Sequence, residues 1–140
     1  MPPKKATIKE KYTEAVGRRK TATARVRLTP KKSAKEVEVT VNGKEIGKYF
    51  PVKKSQDTVH APFKALDLKE YVGNVIVSGG GVNAQAEAIR LGFSRALVAL
   101  NPSWRSALKT LGFLKRDPRM VERKKFGSRK ARRPQQWRKR

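Results

Sequence analysis

The sequence predicts an α/β (α+β) two-layer sandwich followed by a long, extended, basic C-terminal tail. Polarity alternates at the period of a strand between residues 21 and 41. A β-branched run ending in glycines then leads into a long apolar stripe at helical spacing. The last 26 residues hold thirteen Lys or Arg and too few apolar groups to form a core. We therefore expect a flexible basic arm at residues 1–11, a globular domain at 12–114 and the tail at 115–140.

The first predicted elements are two strands joined as an antiparallel hairpin. Apolar side chains alternate with Thr and Arg over residues 21–28, and valines alternate with polar residues over 36–41. Residues 29–35 form the turn between them, and Asn42-Gly43 signals a second turn.

Charge fixes the register of this predicted hairpin. Antiparallel pairing with Arg27 opposite Glu36 and Arg25 opposite Glu38 makes every cross-strand pair compatible. This register gives Arg25 and Arg27 a role inside the sheet. The cations that have no such acidic neighbours, and are therefore the better candidates for RNA, are Arg18, Arg19 and Lys20.

The remaining elements follow in order along the chain. Residues 44–69 suggest one or two short helical pieces, and 72–77 form a short buried central strand. Residues 82–100 place their apolar side chains on one helical stripe. Asn101 then reads as an N-cap and Pro102 as the first residue of a second helix, which ends near Gly112.

The glycine-rich turn before the long helix is the strongest signal for an enzyme. Gly79, Gly81 and Ala84 fit a loosened dinucleotide-binding fingerprint. However, that fingerprint requires an acidic residue about twenty positions later, and none occurs between Glu87 and Asp117. We favour a tight, close-packed turn, and we expect a packing role for Gly92 as well.

Other catalytic and metal-binding patterns are missing from the sequence. His60 is the only histidine, the chain has no cysteine, and Ser106 with Lys109 matches only one part of a penicillin-binding motif. We expect no enzyme activity, no cofactor and no metal site. The start of the chain lacks the apolar core of a signal peptide, and no apolar run is long enough to span a membrane. These features favour a cytoplasmic protein with no membrane partner.

The strongly basic composition indicates a polyanionic partner. The formal net charge is +24, and a segment as cationic as the tail gains most by neutralising the phosphates of nucleic acid. Within the tail, Trp137 is a candidate for stacking on a base, whereas stacking and packing against protein are equally plausible for Phe126. Composition and the glycine-rich turn together leave three alternatives: an RNA-binding protein, a chromatin-like DNA-binding protein and, third, an NAD-dependent enzyme.

Several motifs resemble the family of the ninth protein of the small ribosomal subunit, bacterial type. The resemblance runs from about Tyr12 to Arg140 and is carried by Gly17–Ala22, Val41–Lys44 with Tyr49–Phe50, Gly79–Gly81 with Gln85 and Ala88–Gly92, and Gly112–Arg119 with Val121–Lys125. It implies a structural protein of the small-subunit head that binds ribosomal RNA and contacts neighbouring head proteins. It also implies a left-handed βαβ crossover in the core.

The resemblance gives specific expectations for the basic residues. The ribosomal RNA contacts are expected at Arg18, Arg19, Lys20, Arg116, Arg119, Arg123, Lys124, Lys125, Arg129, Lys130, Arg132 and Arg133. In this family the tail threads through ribosomal RNA, and its last basic pair approaches peptidyl-site transfer RNA. Lys139 and Arg140 occupy those two positions here. The family usually has Phe or Tyr and then Ser before that pair, whereas this chain has Trp137 and Arg138.

Overall fold

The computed structural model describes residues 12–31 and 36–139, so the predicted arm at 1–11 lies outside the described residues. A mixed α/β fold is confirmed. Its strands are β1 (Thr13–Arg19), β2 (Ala22–Pro30), β3 (Glu38–Val41), β4 (Lys44–Glu45) and β5 (Tyr71–Ser78). Its helices are α1 (Ile46–Tyr49), α2 (Lys53–Ala65), α3 (Val82–Leu100) and α4 (Arg105–Thr110), with a 3-10 turn at Pro102–Trp104. The strands form one sheet in the order β1-β2-β5-β3-β4.

The core lies between the sheet and the helices. Alternate residues of β2 are fully buried, namely Ala22, Ala24, Val26 and Leu28, as the period-two pattern predicts. They meet α3, which packs across β1 and β2, while α2 packs against α3. The opposite sheet face is open, with Arg25 exposed and Ile76 about half exposed.

The predicted hairpin between residues 21–28 and 36–41 is wrong. β2 pairs antiparallel with β1 and with β5, whereas β3 lies parallel to β5. A two-residue turn joins β1 to β2, and closing it costs less entropy than closing the longer loop to β3. The sequence hid β1 because Gly17 interrupts its apolar alternation.

The correct partner changes the explanation of the strand arginines. Arg27 lies opposite Glu14, and Arg25 lies opposite Val16. The carboxylate of Glu14 is 3.2 Å from Arg27 Nε and 3.4 Å from Arg25 Nε. The role inside the sheet therefore holds for both arginines, but Glu14 supplies the acid that Glu36 and Glu38 were expected to supply.

Two glycines allow α3 to lie directly on the sheet. A Cβ on Gly17 would come within 1.8 Å of the Ala88 carbonyl oxygen, and one on Gly92 within 2.6 Å of Val26 Cγ2. The predicted packing role of Gly92 is confirmed. Gly17 is its counterpart on β1, and together the two glycines set the distance between helix and strand.

The turn before α3 is also a packing feature. Gly79 and Gly80 have left-handed φ angles of 74° and 65°. A Cβ on Gly79 would lie 2.5 Å from the Thr21 carbonyl oxygen, and one on Gly80 would lie 2.9 Å from Ala22 Cβ. The tight, close-packed turn is confirmed, and it brings the start of α3 beside the β1–β2 turn.

The other predicted elements are confirmed with small shifts. The middle segment forms α1 and α2, the buried run forms β5 at the centre of the sheet, and the long stripe forms α3. Asn101 caps the following turn, where its side-chain oxygen accepts the Ser103 backbone N–H at 3.1 Å. Within the described ranges, no helix combines the length and apolar character needed to cross a membrane.

Candidate nucleic-acid interface

Three turns meet at one end of the sheet. They are the β1–β2 turn at residues 20–21, the β3–β4 turn at 42–43 and the β5–α3 turn at 79–81. Because β5 runs antiparallel to β2 and parallel to β3, the start of β2 and the ends of β3 and β5 coincide. We call these three turns the loop end.

Side-chain hydrogen bonds hold the loop end together. The Asn42 amide donates to the Val77 carbonyl and accepts the Val77 N–H, both at 3.0 Å. The Tyr49 hydroxyl donates to Gln85 Oε1 at 2.9 Å, and Gln85 Nε2 donates to the Gly79 carbonyl at 3.0 Å. These are motif residues of the resemblance, and here they serve to fix the turns relative to one another.

Arg18 and Lys20 project from this rigid frame. Both are exposed, and Lys20 takes a left-handed φ of 51° in the turn. Neither has an ion-pair partner among the residues that the structure describes. Two unpaired cations on a fixed backbone are suited to binding phosphate groups.

Arg19 has a different environment, and the expectation that it lacks acidic neighbours is wrong. Its Nε donates to Glu87 Oε2 at 2.5 Å, and its Nη2 lies 3.4 Å from Asp117 Oδ2. Its Nη1 donates to the Arg119 backbone carbonyl at 2.6 Å. Only 12% of the side chain is exposed, so its donors face protein and not solvent. Sequence reasoning missed these contacts because the acids come from α3 and from the start of the tail.

A shallow cleft of about 420 Å³ extends the cationic surface from the long helix to the start of the tail. It is lined by four cations and one acid, together with Gly112 and Pro118: Arg90, Lys115, Arg116, Asp117 and Arg119. The Arg90 guanidinium lies over the Phe113 ring, 5.1 Å from its centroid. Arg90 and Lys115 were not among the expected contacts. The available signal for Arg90 was its position off the apolar stripe of α3.

Residues 115–139 form neither helix nor strand, yet part of this segment folds back on itself. Ser128 pairs with Pro134 in an isolated bridge, and the Arg129 N–H donates to the Arg133 carbonyl at 2.8 Å. Glu122 accepts hydrogen bonds from Lys125 and Arg132. This loop departs from the extended conformation that the sequence predicts for the tail, because one acid offsets two of its cations.

The other predicted tail residues are exposed to solvent. Among them, Arg116, Arg123, Lys124, Arg129, Lys130, Arg133 and Lys139 have no carboxylate partner within the described ranges. Both aromatic rings are bare, with Phe126 97% and Trp137 93% exposed. Arg140 lies outside the described residues. Trp137 is therefore free of the core, as a stacking group must be.

The features expected of an enzyme site are not assembled in the described part of the chain. No group of three His, Cys, Asp or Glu residues that could hold a metal occurs there. His60 is half-buried on α2, and burial is the main cause that lowers its pKa.

Comparisons with known proteins find relatives that match nearly the whole chain. A family model described as ribosomal protein S9/S16 matches residues 17–140. Similar curated proteins, each named "Small ribosomal subunit protein uS9", come from Lawsonia intracellularis, Amoebophilus asiaticus and Mycobacterium ulcerans. Their identities to this chain are 48%, 46% and 45%. The alignments cover 92%, 90% and 94% of this chain and 97%, 96% and 84% of the relatives, respectively.

Proposed function

The chain belongs to the ribosomal protein S9/S16 family, and from this premise we propose that it works in the small subunit of cytoplasmic ribosomes by binding ribosomal RNA. It is a structural protein of translation and not an enzyme. The chromatin-like and nucleotide-dependent alternatives have no comparable support from the core motifs. Its partners in the subunit are ribosomal RNA and neighbouring head proteins.

One observation carries the RNA-binding proposal. Cations without carboxylate partners project from the hydrogen-bonded loop end, and this cationic surface continues to the start of the tail. Arg18 and Lys20 project from the loop end, and Arg90, Lys115 and Arg116 line the adjoining cleft. A dense phosphate array releases counterions when such cations neutralise it. Because the frame is already ordered, binding there costs little conformational entropy.

The tail adds a second group of phosphate contacts. Among its exposed cations are Arg116, Arg119, Arg123, Lys124, Arg129, Lys130 and Arg133. Lys125 and Arg132 join them once phosphates replace Glu122 as their partner. Such contacts position the protein without reading the base sequence.

We further propose that the end of the tail contacts peptidyl-site transfer RNA. An extended chain spans up to about 3.5 Å per residue, so the 26 residues from Lys115 reach as far as about 90 Å. Lys139 is exposed, and the bare ring of Trp137 is free to stack on an unpaired base beside it. Phosphate contacts from Lys139 and Arg140 suit a site that accepts every transfer RNA, because they carry no sequence preference.

Deleting Lys139 and Arg140 tests the transfer RNA contact. We expect subunits with the shortened chain to assemble normally and to bind peptidyl-site transfer RNA more weakly, because two cations near its phosphates are gone. Affinity measured by filter binding checks this, with Lys53→Ala and Lys54→Ala together as a charge-matched control on the exposed start of α2. Equal affinity for the shortened and full-length chains would refute the contact.

We also propose that the connection from β3 to β5 is a left-handed βαβ crossover. β3 and β5 are parallel neighbours, with α1 and α2 between them in the chain. Parallel connections are right-handed in about 98% of cases, so a left hand is a specific family trait and not a default. Reading the hand from an experimental map of the subunit tests it, and a right-handed path would overturn it.

A further inference from the structure

We propose that Arg19 is a positioning residue that fixes the direction in which the tail leaves the core before any RNA is bound. The segment concerned is 113–119, which we call the tail root. The consequence for RNA binding rests on the proposed function, whereas the anchoring itself does not. Arg19 was expected to bind phosphate, and its surroundings assign it this other role.

One guanidinium joins three parts of the molecule. Arg19 lies at the end of β1 and contacts Glu87 on α3 at 2.5 Å, Asp117 at 3.4 Å and the Arg119 carbonyl at 2.6 Å. The planar, five-donor guanidinium is the group that can serve acceptors in several directions at once. The Arg19 side chain is only 12% exposed, whereas the carboxylates of Glu87 and Asp117 are 37% and 31% exposed, so solvent screens these contacts less than it screens fully exposed surface ion pairs.

The acceptor on the tail side is itself held in place. Asp117 accepts the backbone N–H of Arg119 at 3.0 Å and the Arg119 guanidinium at 2.8 to 3.1 Å. Pro118 lies between them and restricts φ. Asp117 and Arg119 therefore form a closed turn, and Arg19 contacts both of these residues.

The tail root has a second attachment through its apolar start. Phe113 and Leu114 pack against the core, and Arg90 covers the Phe113 ring. Beyond Arg119, the side-chain hydrogen bonds and ion pairs of residues 120–139 stay within that segment, as far as the structure describes it. Arg119 is thus the last point held by the core.

Fixing the tail root should lower the entropy cost of RNA binding by the rest of the tail. Orienting the first residues of a flexible segment removes conformations that point away from the binding track and lowers the entropy cost of binding. Meanwhile the charge of Arg19 is already compensated by Glu87 and Asp117. Arg19 should therefore raise RNA affinity without adding a phosphate contact, which separates it from Arg18.

A distance measurement on the RNA-free chain tests the anchoring. The chain has no cysteine, so Ala65→Cys and Val121→Cys place one spin label on α2 and one just beyond the tail root. Double electron–electron resonance should give a narrow distance distribution that broadens in Arg19→Ala. Asp117→Ala should broaden it too, while leaving the contact between Arg19 and Glu87 intact. Arg25→Ala, which removes a strand arginine paired with Glu14, should not broaden it.

The distance experiment has clear outcomes. Distributions of equal width in the parent chain, Arg19→Ala and Asp117→Ala would overturn the proposal. Thermal unfolding followed by circular dichroism verifies that each variant is folded. If Arg19→Ala does not fold, Asp117→Ala alone decides between a held and a free tail root.

The salt dependence of RNA binding separates positioning from phosphate contact. With a fragment of small-subunit ribosomal RNA, Arg18→Ala should reduce the slope of log affinity against log salt by about 0.7 to 0.9. Arg19→Ala should weaken binding several-fold and leave the slope unchanged, and Arg19→Lys should fail to restore affinity although it keeps the charge. A slope reduced equally by Arg18→Ala and Arg19→Ala, with rescue by lysine, would make Arg19 an ordinary phosphate contact. Failure of the parent chain to bind the fragment would count against the proposed function and leave the distance result standing.

Discussion

Single residues decide how closely α3 approaches the sheet. Gly17 faces the Ala88 carbonyl and Gly92 faces Val26, with no room for a methyl group at either glycine. The packing role of Gly92 could be predicted from its place inside a helix. The role of Gly17 could not, because the partner backbone lies 71 residues away in sequence and only the fold brings it near.

Replacing Gly17 with alanine should destabilise the protein. A Cβ at 1.8 Å from the Ala88 carbonyl oxygen forces α3 away from β1, and overpacking of this kind lowers the free energy of unfolding by about 1 to 3 kcal/mol. The matched control is Gly47→Ala in α1, where nothing lies within 4 Å of the added carbon. There the free energy of unfolding should stay unchanged or rise by up to about 1 kcal/mol. Urea unfolding measures both, and equal stability of the two variants would contradict the contact.

The charge of Asp117 should persist to unusually low pH. The pKa of its carboxyl is held well below the ordinary value, first by hydrogen bonds from the Arg119 side chain and backbone, and further by the charges of Arg119 and Arg19. Glu87 faces the same cluster from α3. A depressed pKa means that the contribution to stability is present above the unfolded value and is lost only as pH falls through the folded value.

The Asp117 carboxyl should therefore stay charged near pH 3, about one unit below the ordinary pKa of aspartate. Carboxyl carbon shifts in an NMR titration report the charge of Asp117 directly. Arg119→Ala should move the pKa of Asp117 back toward its ordinary value, since it removes the main cause of the shift. Ordinary titration of Asp117 in the parent chain would show that this turn does not form in solution.

At the level of elements, prediction succeeded where local pattern decides and failed where pairing is non-local. β5, α3 and the Asn101 cap follow from short runs of sequence, and all three are confirmed. The hairpin prediction is wrong because charge complementarity between residues 25–27 and 36–38 does not require the two segments to be adjacent. Glu14 satisfies the same arginines from β1, and the parallel pairing of β3 with β5 leaves no local trace in the sequence.

The predicted RNA-contact residues also divide into those whose surroundings follow from local sequence and those whose surroundings depend on non-local contacts. The exposure of Arg18, Lys20 and most tail cations follows from a sequence that places few acids near them. Arg119, Lys125 and Arg132 are the tail cations that do pair with a nearby acid. Arg19 is also a cation and lies between Arg18 and Lys20 in the sequence. Its donors, however, are occupied by long-range contacts to α3 and the tail root. The loop that Glu122 closes with Lys125 and Arg132 does not follow from composition. Composition describes the average charge of the whole segment, whereas this loop depends on one carboxylate placed between two cations.

The boundary between domain and tail should appear in limited proteolysis. We propose a globular unit at 12–114 and a tail from 115, but the anchored tail root protects the first bonds of that tail. Within the tail, trypsin should cut first after Arg123, Lys124 or more distal cations, and only later after Lys115 and Arg116. In Arg19→Ala the two groups of bonds should be cut at similar rates. Mass spectrometry of timed digests identifies the sites, and early cleavage after Lys115 in the parent chain would contradict the anchored root.

At the scale of the whole molecule, two cationic surfaces of different stiffness are combined. The loop end presents Arg18 and Lys20 from a hydrogen-bonded frame, whereas the tail beyond Arg119 has few contacts of its own. The rigid part offers low entropy cost, and the tail offers charge and reach. With a formal net charge of +24, the positive side chains of the free chain repel one another. A phosphate-rich partner reduces this electrostatic repulsion.

The most direct test of this account is the affinity for small-subunit ribosomal RNA measured across a range of salt concentrations. The parent chain should bind tightly at low salt and show a steep linear loss, since many phosphates are neutralised. Arg18→Ala with Lys20→Ala should lower the slope by about 1.4 to 1.8, and a chain ending at Arg119 should lower it further. Binding that is insensitive to salt, or a slope unchanged in both variants, would contradict the central claim.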